Sequence, residues 1–413
     1  MGIESFDKLS LSYRIVSICL LVFGIMLYFG TATGVGATEA EAVTSLIGAE
    51  DSILVVDPNG SIVISKNDTK KLIPASILKI FTSLVALHYL GPDYRYQTEF
   101  FIDHNSNLKI KGYGDPRLIS EIVLEISRLL AALIGKSTVI NDLIVDDSYF
   151  SQPLTIPGIS SSSQPYDAPN GALCVNFNTV NFKHTQSGYI SAEPQTPLLP
   201  FAQKKIIAQK EKSGRIVLSQ VNNENTIYAG KLFEYFLKQQ GIQLSGEVKT
   251  GKVNHSHDKL IFRYTSRLTL AEIISGLLEH SNNFTTNQLL ISAGIKAYGP
   301  PGNLGKGVEA AIAYASKELA IDDMAIAEGS GIYRQNKVSA RQMMRVLEAF
   351  EPNYVLLRQQ GRDFYKTGTL HGISTRTGYI ASQNGGKYRY VVMVNTKGKS
   401  TRPIMRQLLK VLE

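Results

Sequence analysis

The chain has 413 residues, with 43 Lys and Arg against 35 Asp and Glu for a net charge of +8, two Cys, seven His and no Trp. That length supports two or three domains, and with Cys19 near the N-terminus the only other thiol is Cys174, which excludes a disulfide framework. The basic residues are scattered with no nucleic-acid motif beside them, and His255-x-His257 sits in a polar loop with no third ligand, so neither a nucleic-acid partner nor a metal or cofactor is expected; the charge fits attraction to an anionic cell envelope instead.

Lys8 and Arg14 precede an uncharged run from Ile15 to Ala37, apolar to Phe29 and then small and Gly/Thr-rich up to Val35-Gly-Ala37. Residues 1–37 therefore read as a signal peptide with an A-x-A-like cleavage site. The same 23 uncharged residues are also long enough for an uncleaved membrane anchor. In both cases the basic flank stays cytoplasmic and the rest is exported to the periplasm or cell envelope.

Next comes a hairpin, 52–56 and 61–65, around the turn Asp57-Pro-Asn-Gly60. A buried-type helix opens at Pro74 and is stopped by Gly91-Pro92. Residues 97–261 mix β-type runs such as 142–146 with polar loops, and Cys174 lies in the apolar run Ala172-Leu-Cys-Val175 as a buried, inert thiol. A helical stretch follows over 269–280, then another apolar-periodic run over 284–295. Lys366 precedes one strand-like run, 369–381, which Gly385-Gly386 joins to a second, 388–395, as a hairpin. A terminal helix is expected over 403–412. Segments 45–96 and 262–413 together predict an antiparallel sheet covered by helices, an α+β layering, interrupted by a large, mainly β insertion at 97–261.

Three short motifs fall in order along this frame: Ser76-Ile-Leu-Lys79, Ser281-Asn-Asn283 and Lys366-Thr-Gly368. Chance matters, because the chain holds four S-x-x-K strings, three S-x-N strings and two K-T-G strings. Context selects among them. Ser76 and Lys79 share one face at the start of a helix, where the positive field favours developing negative charge. Ser5 lies in the leader, and Ser106 and Ser256 lie in polar stretches. Lys249-Thr-Gly251 precedes Ser281 and is out of order, reading as a polar loop or strand end, whereas Ser281 sits at a helix–helix junction. Ser65-x-Asn67 and Ser382-x-Asn384 read as turn residues.

The ordered set S-x-x-K, S-x-N, K-T-G is that of serine enzymes acylated by penicillin or by D-alanyl-D-alanine peptides. Here the chain resembles the low-molecular-mass class C penicillin-binding proteins, the D-Ala-D-Ala carboxypeptidases and endopeptidases. The likeness spans roughly residues 50–400 and includes Gly112-Tyr-Gly-Asp-Pro116, Tyr166-Asp-Ala-Pro169, Val175-Asn-Phe-Asn-Thr-Val180, the run 228–242 and Glu328-Gly-Ser-Gly-Ile-Tyr-Arg334. The family's Trp-containing segment is replaced here by 156–165, which has no Trp, and its usual Asp in the last block is Glu328. The resemblance implies a penicillin-binding transpeptidase domain like that of serine β-lactamases, with two small subdomains inside the insertion.

The residue types suit the chemistry. An alcohol is a poor nucleophile at neutral pH, so Ser76 needs a base, and Lys79 becomes one if burial disfavours its charge. Ser281 can relay a proton to the leaving amine, and Asn283 offers a donor and an acceptor to Lys79 and the substrate amide. Lys366 presents a positive charge to the substrate's terminal carboxylate, with Thr367 and Thr369 flanking Gly368. By resemblance, the backbone N–H groups of Ser76 and Thr369 form the oxyanion hole. Peptidoglycan stem peptides are the expected substrate and β-lactams the expected inhibitors. Carboxypeptidase and endopeptidase action both fit, because only the leaving amine differs. A serine β-lactamase or a non-catalytic wall-binding protein would share the frame; the 205-residue gap from Ser76 to Ser281 argues against the first, and the intact motifs against the second.

Overall fold

The computed structural model describes residues 36–135, 138–383 and 385–412. The expected export segment, 1–37, lies outside the described residues except for Gly36 and Ala37. A first helix, α1 (Ala37–Thr44), leads into strands β1 (Asp51–Val56) and β2 (Ile62–Lys66). All of β1 is buried, because both of its faces are covered. Leu54 and Val56 point into one apolar core, Ile53 and Val55 into another, as the period of two in a strand requires.

A 3₁₀ turn over Ala75–Ile77 then runs straight into α2 (Leu78–Leu90), which Gly91 ends. The first nine residues of α2 are buried, so this helix occupies the centre of the molecule.

The chain next builds the segment expected as an insertion, 97–261. Its strands are β3 (Gln97–Ile102), β4 (Leu108–Gly112), β5 (Val139–Ile140), β6 (Leu143–Asp146), β7 (Thr179–Thr185), β8 (Gly188–Ser191), β9 (Ser213–Val217), β10 (Gln243–Leu244), β11 (Val248–Thr250) and β12 (Lys259–Thr265). They form a five-stranded sheet in the order β11-β6-β4-β3-β12, a three-stranded sheet β8-β7-β9 and the pair β10-β5. Three helices, α3 (Ser120–Ile134), α4 (Pro200–Gln209) and α5 (Glu224–Gln239), add about as much regular structure again. One apolar core, with Phe100, Ile126, Val145, Phe182, Ile216 and Phe233, serves both larger sheets and these helices. Lys249 lies in β11 and pairs with Asp142 at 2.8 Å. Cys174 is buried and free.

Past the insertion come α6 (Leu270–His280), α7 (Asn283–Tyr298), α8 (Leu304–Leu319) and α9 (Ala340–Phe350), then β13 (Arg358–Gln360), β14 (Asp363–Leu370), β15 (Ile373–Ala381), β16 (Lys387–Val394) and α10 (Arg402–Val411). The single strand expected over 369–381 is two strands. His371-Gly372 turns the chain between β14 and β15, so Lys366 lies in the middle of its strand and not ahead of it. The main sheet has the order β13-β14-β15-β16-β1-β2 and is antiparallel throughout. One face packs on α2, α6, α7, α8 and α9. The other packs on α1 and α10 through Tyr365, Ile380, Tyr390, Ile404 and Leu408. This is the α+β layering expected of the first and last segments.

Candidate active site

Ser76 sits in the 3₁₀ turn that opens α2. The turn is held from several sides. Thr375 Oγ1 on β15 donates to Pro74 O at 2.8 Å. Asn395 brackets Ile73, accepting from its N–H at 2.9 Å and donating to its carbonyl at 3.2 Å. Ala75 takes a left-handed φ of +49°, an uncommon conformation for a residue with a side chain. Two glycines make room for it. A Cβ on Gly368 would lie 2.7 Å from Ser76 N, and one on Gly331 would lie 1.9 Å from Ala75 O.

Lys79 follows one turn later and is fully buried. Its Nζ donates to Ser76 Oγ at 3.0 Å, Asn283 Oδ1 at 2.7 Å and Ser330 O at 2.7 Å. Burial holds its pKa well below the usual lysine value; the charge of Lys366 pushes the same way, and the Glu328 carboxylate opposes both. Asn283 reaches Lys79 because it is the first residue of α7. Asn282 caps that helix by accepting from Thr285 N at 2.8 Å. Ser281 ends α6 in a left-handed conformation, φ +55° and ψ +40°. Its hydroxyl hydrogen-bonds to none of the described residues.

The third motif lies on β14, where side chains alternate between faces. Lys366 and Gly368 are buried and Thr367 and Thr369 exposed. Lys366 Nζ donates to Thr367 O at 2.8 Å. Burial pushes its pKa down to about 8; Arg358 adds to that shift, whereas Glu279 resists it. β13 covers the outer edge of β14 only at Asp363, Phe364 and Tyr365. From Lys366 onward that edge has no strand beside it among the described residues. Successive peptide groups of a strand point to opposite edges. The Thr369 N–H therefore faces the same edge as the Thr367 carbonyl.

Of the residues expected from sequence, the structure joins Ser76, Lys79 and Asn283 in one hydrogen-bonded cluster and sets Gly368 against Ser76. It adds a loop that sequence reasoning did not assign to the site. Glu328 is fully buried. It accepts from Ser330 N and Oγ, both at 2.6 Å, from Gly331 N at 2.7 Å and from Asn336 Nδ2 at 2.7 Å. This aims the Ser330 carbonyl at Lys79. Thr82 of α2 also donates to Gly329 O, at 2.7 Å. The signal was present as an acid before a Gly-Ser-Gly turn, but its link to Lys79 runs through a backbone carbonyl, which leaves no mark on the sequence. Among the described residues no cluster of His, Cys, Asp and Glu could hold a metal ion.

A serine beside a buried lysine, with S-x-N and K-T-G elements closing on them, defines a serine acyl-transfer enzyme of the penicillin-binding class. The comparisons with known proteins agree. The model of the D-Ala-D-Ala carboxypeptidase 3 (S13) family matches residues 38–223 and 206–360. The chain belongs to that family, and it is a serine-type DD-peptidase of peptidoglycan. A D-alanyl-D-alanine carboxypeptidase from Actinomadura sp. (strain R39) is 24% identical over 416 residues, covering 83% of this chain and 77% of that one. The D-alanyl-D-alanine carboxypeptidase DacB of Haemophilus influenzae is 21% identical over 401 residues, 81% of this chain and 82% of its own. The solved penicillin binding protein 4 from the same organism shares the fold with a TM-score of 0.73 at 19% identity, over 89% of this chain and 97% of that one.

Proposed function

We propose that Ser76 is the nucleophile and Lys79 its base. The observation that carries this is the 3.0 Å contact between Lys79 Nζ and Ser76 Oγ, made by an amine that is fully buried. Burial favours the neutral amine, which can accept the Ser76 proton. The oxygen attacks the carbonyl of the D-alanyl residue, and the tetrahedral oxyanion forms between the N–H groups of Ser76 and Thr369. The proton held by Lys79 passes through Ser281 to the departing amine, the C–N bond breaks, and an ester remains on Ser76. Water then attacks the ester; the proton it loses returns to Ser76 as the acid product leaves.

Lys366 supplies the charge for the terminal carboxylate of the substrate, with Thr367, Gly368 and Thr369 lining the free edge along which a peptide would lie as an added strand. Asn283 holds Lys79 and leaves its amide N–H groups for the substrate. The leaving group is a terminal D-alanine or the amine of a cross-link. β-Lactams present a carbonyl and a carboxylate in a similar arrangement and acylate Ser76. The net charge of +8 and the peptidoglycan substrate support an exported protein of the cell envelope, delivered by residues 1–37 as a cleaved signal or a retained anchor. The division into a catalytic part, 45–96 with 262–413, and an inserted part, 97–261, is part of the same proposal; the main sheet and the separate core of the insertion support it. Cleavage of a D-Ala-D-Ala pentapeptide and of a cross-linked dimer, each with the wild type and Lys79→Ala, tests the reading. Activity in the wild type and a loss of about a thousandfold or more in the variant are expected; an unaffected variant would remove Lys79 from the mechanism.

A further inference from the structure

A cleft of about 610 Å³ opens between β14, β15 and the first turn of α10, on the face of the main sheet that carries α10. It begins at the K-T-G strand, where Thr367, Gly368 and Thr369 line it. Ser76, Lys79, Ser281 and Asn283 do not line it, and neither does any residue of 97–261. In the mechanism proposed above, the terminal carboxylate of the leaving residue lies at Lys366 and this strand. The cleft therefore continues from the leaving side of the scissile bond, away from the nucleophile. A leaving D-alanine ends at a methyl group, whereas this volume suits something much larger.

The floor of the cleft is polar from end to end. Residues opposite one another on antiparallel strands share a face. Thr367 lies opposite Arg376, and Thr369 opposite Ser374. Ser374 carries the floor on to α10, since its Oγ accepts from Thr401 N at 3.2 Å and lies 3.3 Å from Thr401 Oγ1. Arg402 follows as the first residue of α10 and is exposed.

The lining holds four basic side chains, Arg358, Arg376, Lys399 and Arg402, and no acidic one, so the cleft is positive. Three of the four have a partner. Arg376 is bonded to Asp363 and lies over the Tyr365 ring. Arg358 is 3.8 Å from Glu279, and Lys399 is 3.8 Å from Asp51. Arg402 forms no ion pair among the described residues. No side chain caps the first turn of α10, so its free N–H groups add to the positive field. An unpaired guanidinium at the far end of a polar cleft without carboxylates favours an anion there.

We propose that this cleft receives the side chain of the leaving D-residue, and that Arg402 selects one that is extended and ends in an anion. This rests on the DD-peptidase reading above and names what that enzyme accepts beyond D-alanine on the leaving side.

The test uses peptides identical up to the scissile bond and ending in D-Ala, D-Gln or D-Glu, with the released residue measured. D-Gln against D-Ala reads the room in the cleft. D-Glu against D-Gln reads the charge at nearly constant shape. In the wild type, kcat/KM for D-Gln is expected to be at least that for D-Ala, and D-Glu is expected to exceed D-Gln about fivefold or more. Added salt should shrink the second ratio. Arg402→Ala should bring it near one, and Arg402→Glu should reverse it. Should Arg402→Ala fail to fold, Arg402→Gln gives the same comparison. A wild type that releases D-Gln about tenfold less well than D-Ala overturns the cleft as a side-chain site. A D-Glu to D-Gln ratio near one, or one that Arg402→Ala leaves unchanged, overturns the role of Arg402. A wild type that releases D-Ala but fails these comparisons defeats this inference alone, whereas one that neither releases D-Ala nor labels with penicillin defeats the DD-peptidase reading and the cleft with it.

Discussion

Lys79 has three hydrogen-bond acceptors and two opposing charges around it, and its proton affinity follows from their balance. Burial and Lys366 favour the neutral amine, and Glu328 favours the ammonium. In the proposed mechanism acylation needs the neutral form, so its rate should rise with pH as Lys79 deprotonates. Glu328→Gln removes the charge that favours the ammonium, which lowers the Lys79 pKa further and should move the acid limb of the acylation rate to lower pH. A purely structural defect would lower the rate without moving the limb, and penicillin acylation measured against pH separates the two. Lys366 acts on the other side. It is charged below about 8 and neutral above, so KM for a D-Ala-D-Ala peptide should climb above that pH. In Lys366→Arg, which stays protonated, KM should hold level across the same range. Most of the proposed site could be read from the sequence, because the roles proposed for Ser76, Lys79, Asn283 and Lys366 are side-chain roles whose spacing survives in the chain. The carbonyl of Ser330 could not. Any residue supplies a carbonyl, and this one comes from 251 residues beyond Lys79.

At the level of elements, the turn that carries Ser76 is positioned by close backbone approach more than by side chains. β14 and the loop after Glu328 come so near that only glycine fits at two points. Gly368→Ala would place a methyl group 2.7 Å from Ser76 N. The strand or the turn must then move, at a cost of about 1–3 kcal/mol. A displacement approaching about 1 Å would slow acylation on the order of 100-fold. Thermal melting together with the rate of penicillin labelling tests this, and a variant with wild-type labelling would contradict it. Helix α2 is legible, since Pro74, Gly91 and the apolar periodicity mark it directly, whereas α3, α4 and α5 lie hidden in a stretch that reads as mainly β. The β14–β15 turn is hidden in the sequence because Thr, Ile and Tyr continue on both sides of His371-Gly372, and a lone His-Gly pair is a weak turn signal against that background.

Across the whole molecule, residues 97–261 are tied to the main sheet and its helices through α7, the helix that begins at Asn283. Gln288 is fully buried there. Its amide donates to Gly114 O at 3.0 Å and Gly171 O at 2.9 Å, and its oxygen accepts from Asn170 at 3.0 Å. Gln288→Ala would leave two buried carbonyls without this donor and the Asn170 amide with Phe284 O as its remaining acceptor, a loss of about 2–4 kcal/mol. Urea unfolding should show that loss, and a change below about 1 kcal/mol would mean that water or repacking replaces these bonds. The proposed insertion rests on the distance between Ser76 and Ser281. Its sheet order could not be read from the sequence, because β12 pairs with β3 across most of the insertion and β11 runs parallel to β6. Such pairings depend on tertiary packing and have no local signature.

The most direct measurement is incubation of residues 38–413 with fluorescent penicillin, followed by a denaturing gel and peptide mass spectrometry, beside Ser76→Ala. A covalent adduct on Ser76 in the wild type, absent from the variant, is the expected result. Full labelling of Ser76→Ala, or an adduct mapped to another residue, would contradict the assignment of Ser76 as the acylating serine.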